Sequence, residues 1–305
     1  MAVSFSTVTQ NFQTIIDFLR FALSKAHVEA LYYGHGTDNA WDDMHALVLD
    51  SLSLPFDVDP MLLQARLTDE EKAWLCRQLE RRIRERIPVP YLTHKAYFCD
   101  LEFYVDERVL IPRSPIAELI DCQFSPWVKE EKVDRILDLC TGSGCIAIAC
   151  CYAFPHALVD AVDVSADALE VAKINSERHD VQDVLTLIQS DCFEDVPHHT
   201  YDLIISNPPY VGREEMERLP DEYRHEPKLA LETENNGLAI AEKILHHAHA
   251  YLSDHGVLVV EVGNSQEALM AAYPDVPFTW LEFERGGHGV FLLTKAQLND
   301  YFANL

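Results

Sequence analysis

The chain has 305 residues, enough for one catalytic domain of ordinary size and a smaller companion. Hydrophobic residues make up 48% of it, which excludes an intrinsically disordered polymer. Asp and Glu total 50 against 24 Lys and Arg, a formal charge of −26. Such a field repels phosphate backbones and attracts basic partners, although acidic surfaces also serve solubility alone.

From the N-terminus, no basic leader is present, and the apolar stretch Ile15–Leu23 is interrupted by Asp17 and Arg20. No signal peptide is therefore expected, and a cytoplasmic location is. Residues 1–88 read as a helical domain. Phe12, Ile15, Ile16, Leu19 and Leu23 recur at helical spacing. Thr68-Asp-Glu-Glu71 is a capping box that opens a helix through Ile87, with Leu75, Leu79 and Ile83 on one stripe and Pro88 and Pro90 ending it. Residues 89–115 read as a β-hairpin linker, in which KAYFC and LEFYV flank Asp100.

Residues 116–305 alternate strand and helix. Strands are expected at Ile136–Leu139, Leu158–Asp163, Leu185–Gln189, Leu203–Ser206, Val257–Val262, Phe278–Phe283 and Val290–Thr294. Helices are expected at Cys145–Ala153, Ala166–His179, Leu238–Leu252 and Gln266–Tyr273. Continuous apolar strands alternating with helices imply a doubly wound α/β sheet of seven strands, with its ligand beyond the carboxyl ends of the first strands. The uncharged run Leu139–Val159 is long enough to cross a membrane, but it opens on a glycine loop and contains Pro155, so a buried turn and helix are expected instead. The eight cysteines form no CxxC pair and read as reduced thiols. His246, His247 and His249 lie on an expected helix without the spacing of a zinc motif, so no metal site is expected.

Asp138-Leu-Cys-Thr-Gly-Ser-Gly144 follows a strand and opens a helix. Gly142 and Gly144 permit a tight turn and leave backbone amides uncovered for a ligand. Asp163 ends the next strand, nineteen residues after Gly144, where a carboxylate can accept from both hydroxyls of a ribose. A nucleoside site is the reading of the pair together, since either alone can be a mere turn. Spacing leaves a dinucleotide open, with Ala147 in place of the third glycine. Asp138 favours the cationic methionyl end of S-adenosylmethionine, because a carboxylate there repels a pyrophosphate. Asp191, beside Cys192, can accept from an adenine amino group or can cap a turn.

Tyr201-Asp-Leu-Ile-Ile-Ser-Asn207-Pro208-Pro209-Tyr210 carries the chemistry. An apolar strand delivers Asn207 to the sheet edge, and two prolines stiffen the turn. A planar NH₂ group needs two acceptors and a surface against its face. The Asn207 side-chain oxygen and the Pro208 carbonyl can accept, and Tyr210 can flank the plane. Orientation rather than a His or Lys base is then the expected catalytic device. Glu261 either reaches this site or ends its strand. The acid-rich stretch Glu214–Glu234 is a lid, a docking edge for a basic protein, or a solvated loop.

Asp138–Gly144, Asp163 and Asn207–Tyr210 resemble the class I methyltransferases that modify protein glutamine, the HemK-like group. Val109–Arg113, Glu226-Pro227, Ala230-Leu231 and Gly237-Leu238 are similar to that family as well, and the resemblance covers nearly the whole chain. It implies that S-adenosylmethionine is held by Cys140, Thr141, Gly142, Ser143, Gly144, Asp163, Cys192 and Asn207, and that Asn207, Pro208, Pro209 and Tyr210 hold a glutamine amide. Release-factor enzymes of the group carry Arg-Pro-Asp-Thr-Glu where this chain has Arg113-Ser-Pro-Ile-Ala-Glu118. Tyr33–Asn39, Pro112–Ile116 and Tyr223–Pro227 look like the PrmB branch, which methylates the third protein of the large ribosomal subunit. The resemblance thus implies a basic ribosomal-protein substrate, selected by the helical domain, and no stable binding of nucleic acid. The competing classes are a release-factor enzyme, a DNA or RNA amino-methyltransferase, and a non-catalytic ribosome assembly factor.

Overall fold

The computed structural model describes Phe5 and residues 9–303. They form two compact units, one running up to Lys95 and including Pro220–His225, the other comprising Ala96–Leu219 and everything from Glu226 onward.

The first unit is helical. Helix α1 (Ile15–Val28) starts where the Asp17 carboxylate accepts from the Thr14 amide at 3.0 Å. Its buried stripe is Ile15, Phe18, Leu19, Ala22 and Ala26. That corrects the expected stripe: Phe12 precedes the helix, and Ile16 faces outward. Helix α2 (Ala40–Ser51) is capped by Asn39, which accepts from the Asp42 amide. Helix α3 (Asp69–Arg84) opens on the expected capping box, with reciprocal Thr68 and Glu71 bonds of 3.2 and 2.6 Å, and buries Leu75, Leu79 and Ile83. It stops before Ile87 because Arg86 adopts a left-handed φ of 64°. Pro88 and Pro90 do more than end it. They open a short helix, α4 (Val89–Thr93), whose first turn tolerates residues without an N–H.

The second unit begins with the expected hairpin, β1 (Ala96–Phe98) and β2 (Leu101–Phe103), turned by Cys99 and Asp100, both at positive φ. Helix α5 (Ile116–Asp121) follows. The alternating part then runs β3 (Arg135–Leu139), α6 (Cys145–Ala153), β4 (Leu158–Asp163), α7 (Ala166–Arg178), β5 (Leu185–Gln189), β6 (Tyr201–Ser206), α8 (Ala239–His247), β7 (Leu252–Glu261), α9 (Gln266–Ala272), β8 (Thr279–Trp280), β9 (Val290–Thr294) and α10 (Lys295–Phe302). The seven strands lie in the order β5-β4-β3-β6-β7-β9-β8, with β9 antiparallel to β7 and to β8 and the other pairs parallel. This is the class I methyltransferase sheet, covered on both faces by apolar clusters. The order reverses between β3 and β6, and a crevice opens there at the carboxyl edge.

Several expected boundaries differ, β6 starting at Tyr201 and β7 at Leu252 rather than at Leu203 and Val257. The helix expected over Leu238–Leu252 is shorter, because the chain tightens at Ala248–Ala250 and enters β7 at Leu252. Leu252 pairs with Tyr201, then the register shifts before Leu203 pairs with Val257. The extra residues bulge at Gly256, where a Cβ would lie 2.8 Å from the Tyr201 carbonyl. The strand expected over Phe278–Phe283 shrinks to Thr279–Trp280. The amides of Glu284 and Arg285 donate instead to the Glu118 carboxylate, at 2.9 and 2.7 Å. No helix among the described residues is long and apolar enough to cross a membrane; Leu139–Val159 covers the end of β3, the glycine turn, α6 and the entry to β4.

Candidate active site

A cavity of about 780 Å³, its open mouth included, lies at this crevice. Cys140, Gly142, Asp163, Asp191, Cys192 and Asn207 line it, together with Pro209. Val109 and Leu110, which follow the hairpin, and Pro227, Leu229 and Ala230 form further wall.

Gly142 stands at φ 55°, and a Cβ built on it meets nothing within 4 Å, so the turn leaves open space there. Its amide donates to one oxygen of Asp163 at 2.9 Å, while the other oxygen accepts from the Ser165 amide. Burial raises the Asp163 pKa against these bonds. Gly144, at φ 81°, serves packing instead, since its missing Cβ lets α6 lie against Ala172 of α7. Asp138, Thr141, Ser143 and Gly144 stand outside the cavity lining. Asp138 is wholly enclosed and accepts from the Thr141 hydroxyl at 2.5 Å. Its second oxygen has no hydrogen-bond partner among the described residues beyond a weak approach by the Ala147 backbone. Burial, with the nearby Asp163 charge, pushes its pKa up to about 7. Cys140 and Cys192 both adopt positive φ, and the Cys140 thiol is raised well above its usual pKa by its hydrogen bond to Cys192 and by burial. Asp191 pairs with Lys243 at 2.8 Å.

On the opposite side of the crevice, the Ser206 hydroxyl donates to the Leu139 carbonyl and ties the end of β6 to β3. Pro208 is buried; Asn207, Pro209 and Tyr210 are half-buried. The Tyr210 hydroxyl donates to Glu261 at 3.0 Å, and the other Glu261 oxygen accepts from Ser114 at 2.5 Å. Burial raises the Glu261 pKa against both bonds. Gly263 makes room for the ring, since a Cβ there would fall 2.6 Å from a Tyr210 ring carbon. The Tyr210 carbonyl accepts from Ser265 at 2.8 Å. The two readings open for Glu261 hold together: it ends β7 and reaches the turn.

The family model "Methyltransferase small domain" matches residues 125–221. A ribosomal protein uL3 glutamine methyltransferase of Francisella tularensis is 46% identical over 295 residues, covering 96% of this chain and 94% of its own. One of Neisseria meningitidis serogroup B is 49% identical over 297 residues, 97% and 98% of the two chains. This chain belongs to the ribosomal protein uL3 glutamine methyltransferase family. Its resemblance to the PrmB branch rather than to the release-factor enzymes agrees with that membership. A looser likeness joins it to a methyltransferase of Pyrococcus furiosus, 19% identical over 64% of this chain and 89% of that one, with a TM-score of 0.48.

Three residues that support the site in this family member were given no role from sequence. Asn175 is fully buried; its amide nitrogen donates to the Ser143 and Tyr104 carbonyls at 2.9 and 3.0 Å, and its oxygen accepts from the Tyr104 amide. It fastens the glycine turn to the chain leaving the hairpin. Ser114 holds Glu261. Glu226 takes both Arg113 guanidinium nitrogens, at 2.6 and 2.7 Å, and the Ile111 amide at 3.0 Å. The acid-rich stretch is therefore not simply solvated: its Glu222 and Glu226 are buried and paired. A lone Asn in a helix or Ser in a loop carries no pattern, whereas Arg113 and Glu226 stood only within the resemblance.

Proposed function

We propose that this chain transfers the methyl group of S-adenosylmethionine to the side-chain amide nitrogen of a glutamine in ribosomal protein uL3, in the cytoplasm. The relatives' names supply the substrate. What supports the reading in the molecule is that Asn207 and Pro209 line the same cavity as Gly142 and Asp163.

The residues fit the cofactor. The open space beside Gly142 admits a ligand against backbone, and Asp163 keeps lone pairs for ribose hydroxyls after its two backbone bonds. Cys140, Cys192 and Ile240 offer polarizable or apolar wall for an adenine. Asp191 offers a carboxylate nearby, and Asp138 with Thr141, Ser143 and Gly144 keeps the turn in shape. S-adenosylmethionine, when bound, supplies an electrophilic methyl group on a sulfonium.

The chain's own work is orientation. An amide lone pair is delocalised into its carbonyl, and no side chain is basic enough to deprotonate the nitrogen beforehand. The Asn207 side-chain oxygen and the Pro208 carbonyl accept its two N–H bonds and direct the nitrogen's free face toward the cavity. Tyr210, fixed by Glu261, covers the amide plane and excludes water. Placing two reactants in this way can supply up to about 7–11 kcal/mol of a barrier. The proton leaves once the new N–C bond makes it acidic; neither His nor Lys lines the cavity among the described residues. Arg108 is the cation of the lining, and Asp106 and Glu170 hold its guanidinium, so no phosphate grip is offered there.

Asn207→Ala is expected to keep most of its calorimetric affinity for S-adenosylmethionine and to lose transfer on the order of a hundredfold or more, about 3 kcal/mol of barrier. Tritiated-methyl assays run in parallel on purified uL3 and on nucleic acid give the check. Wild-type turnover by the variant, or label in nucleic acid alone, overturns the proposal.

A further inference from the structure

Helix α2 carries Trp41 and His45 one turn apart on its surface. The His45 ring stacks on Trp41, centroids 5.4 Å apart and planes 22° apart, and meets the edge of Phe56 at 4.6 Å. Trp41 is 51% exposed and Phe56 56% exposed, whereas His45 between them is 8% exposed. The buried His45 Nδ1 has no hydrogen-bond partner among the described residues, and burial lowers the ring's pKa, so the ring is neutral near pH 7. The result is a continuous aromatic step facing water.

Its surroundings are acidic. Between Lys25 and Arg66 the chain has no Lys or Arg and seven carboxylates. Asp38, Asp57 and Asp59 are exposed and Asp42 half-buried, and among the described residues none of the four is in an ion pair. An exposed indole face attracts a guanidinium or ammonium, and unpaired carboxylates beside it add to that attraction. Nucleic acid is repelled by the same charges. A second copy of this chain would bring an identical acidic rim and a charge of −26, so self-association here is opposed. A protein that lies along ribosomal RNA carries Lys and Arg for its phosphates, and such a segment fits both the rings and the charges.

We propose that the Trp41–His45–Phe56 face docks a Lys/Arg-rich segment of the protein substrate; the occupant rests on the ribosomal-protein reading above. Docking would hold the substrate by residues that play no part in the methyl transfer itself, and a few exposed aromatics can carry most of such an affinity.

The test is binding of purified, fluorescently labelled uL3 to the full chain, read by anisotropy, with transfer assayed on the same samples. Trp41→Ala/Phe56→Ala is expected to weaken binding tenfold or more. Asp57→Lys, a change at an exposed position, is expected to weaken it severalfold and to flatten its salt dependence. Trp127→Ala removes an exposed aromatic of the other unit and should bind as wild type. Should the double variant fail to fold by circular dichroism, the Asp57→Lys result decides alone. Wild-type affinity in folded variants overturns the docking, as does a wild-type dimer that Trp41→Ala dissociates without changing uL3 affinity. The enzymatic reading fails separately, when wild type binds uL3 but transfers no methyl group to it.

Discussion

A carboxyl group with no exposed surface costs free energy whenever it is ionised, and for Asp138 the Thr141 hydroxyl and a weaker approach by the Ala147 backbone offset only part of that cost. Its folded pKa of about 7 stands above the ordinary 3.8. Between those values the native state binds more protons than the unfolded chain, so this group's contribution to stability is complete below pH 4 and is lost as pH rises through 7. Asp138→Asn keeps an oxygen for Thr141 and removes the titration. The variant is expected to be the more stable protein at pH 8, by about 4 kcal/mol at most, with the gap narrowing toward pH 5. Urea denaturation of the ligand-free protein at several pH values measures this. A gap that does not change with pH would mean that the carboxyl ionises normally in the folded state. The sequence reading set Asp138 at the methionyl end of the cofactor, and the structure encloses it fully, outside the cavity lining. Its burial follows from the apolar strand that carries it, with Leu137 and Leu139 equally enclosed on either side.

At the scale of elements, what was legible had a period. The runs that became β4, β5, β9 and α6 are uniformly apolar or bounded by turn residues, and their ends matched residue for residue. The misses lie where tertiary contacts set the boundary: the Gly256 bulge, the diversion of the Glu284 and Arg285 amides to Glu118, and the prolines that open α4. The candidate site follows the same rule. Glycine turn, Asp163 and the Asn-Pro-Pro-Tyr turn are local patterns, whereas Ser114, Asn175 and Glu226 act across 32 to 147 residues of chain. The Glu261 bond joins the turn after β6 to the end of β7, so it positions Tyr210 without touching the reacting atoms. Glu261→Ala should leave cofactor affinity unchanged and raise KM for uL3 more than it lowers kcat, with a combined loss in kcat/KM on the order of tenfold, about 1.4 kcal/mol. Glu261→Gln should recover most of it, since an amide oxygen still accepts from Tyr210. Equal kinetics for Ala, Gln and wild type would show that the tyrosine needs no such support.

Across the whole molecule, the chain leaves the sheet unit at Leu219, enters the helical unit for Pro220–His225, and returns at Glu226. Within the helical unit this excursion is held by charge. Arg82, 1% exposed, donates to Asp43 at 2.8 Å, to Glu222 at 3.4 Å and to the Tyr32 carbonyl at 2.9 Å. Glu222 also accepts from the Tyr32 amide at 3.0 Å and lies 3.5 Å from Arg86. Burial raises the Asp43 pKa, and the Arg82 guanidinium opposes that rise. Removing one member of a buried group of this kind strands the others, at a cost of about 3–5 kcal/mol, whereas replacing the whole set by apolar side chains can be neutral or stabilising. Arg82→Met is therefore expected to destabilise the helical unit by about that amount and to speed hydrogen exchange at the Tyr223 and Arg224 amides. Arg82→Met/Asp43→Leu/Glu222→Leu should regain most of the lost stability, because no fully buried charge is stranded and Arg86, which loses Glu222, is partly exposed and keeps the Glu29 carbonyl. Glu226 is anchored separately by Arg113, so exchange at Val211 and Thr233, whose amides are bonded within the sheet unit, should stay slow in both variants. A triple variant weaker than Arg82→Met would place the stabilisation in the ion pairs themselves rather than in the avoidance of a stranded charge.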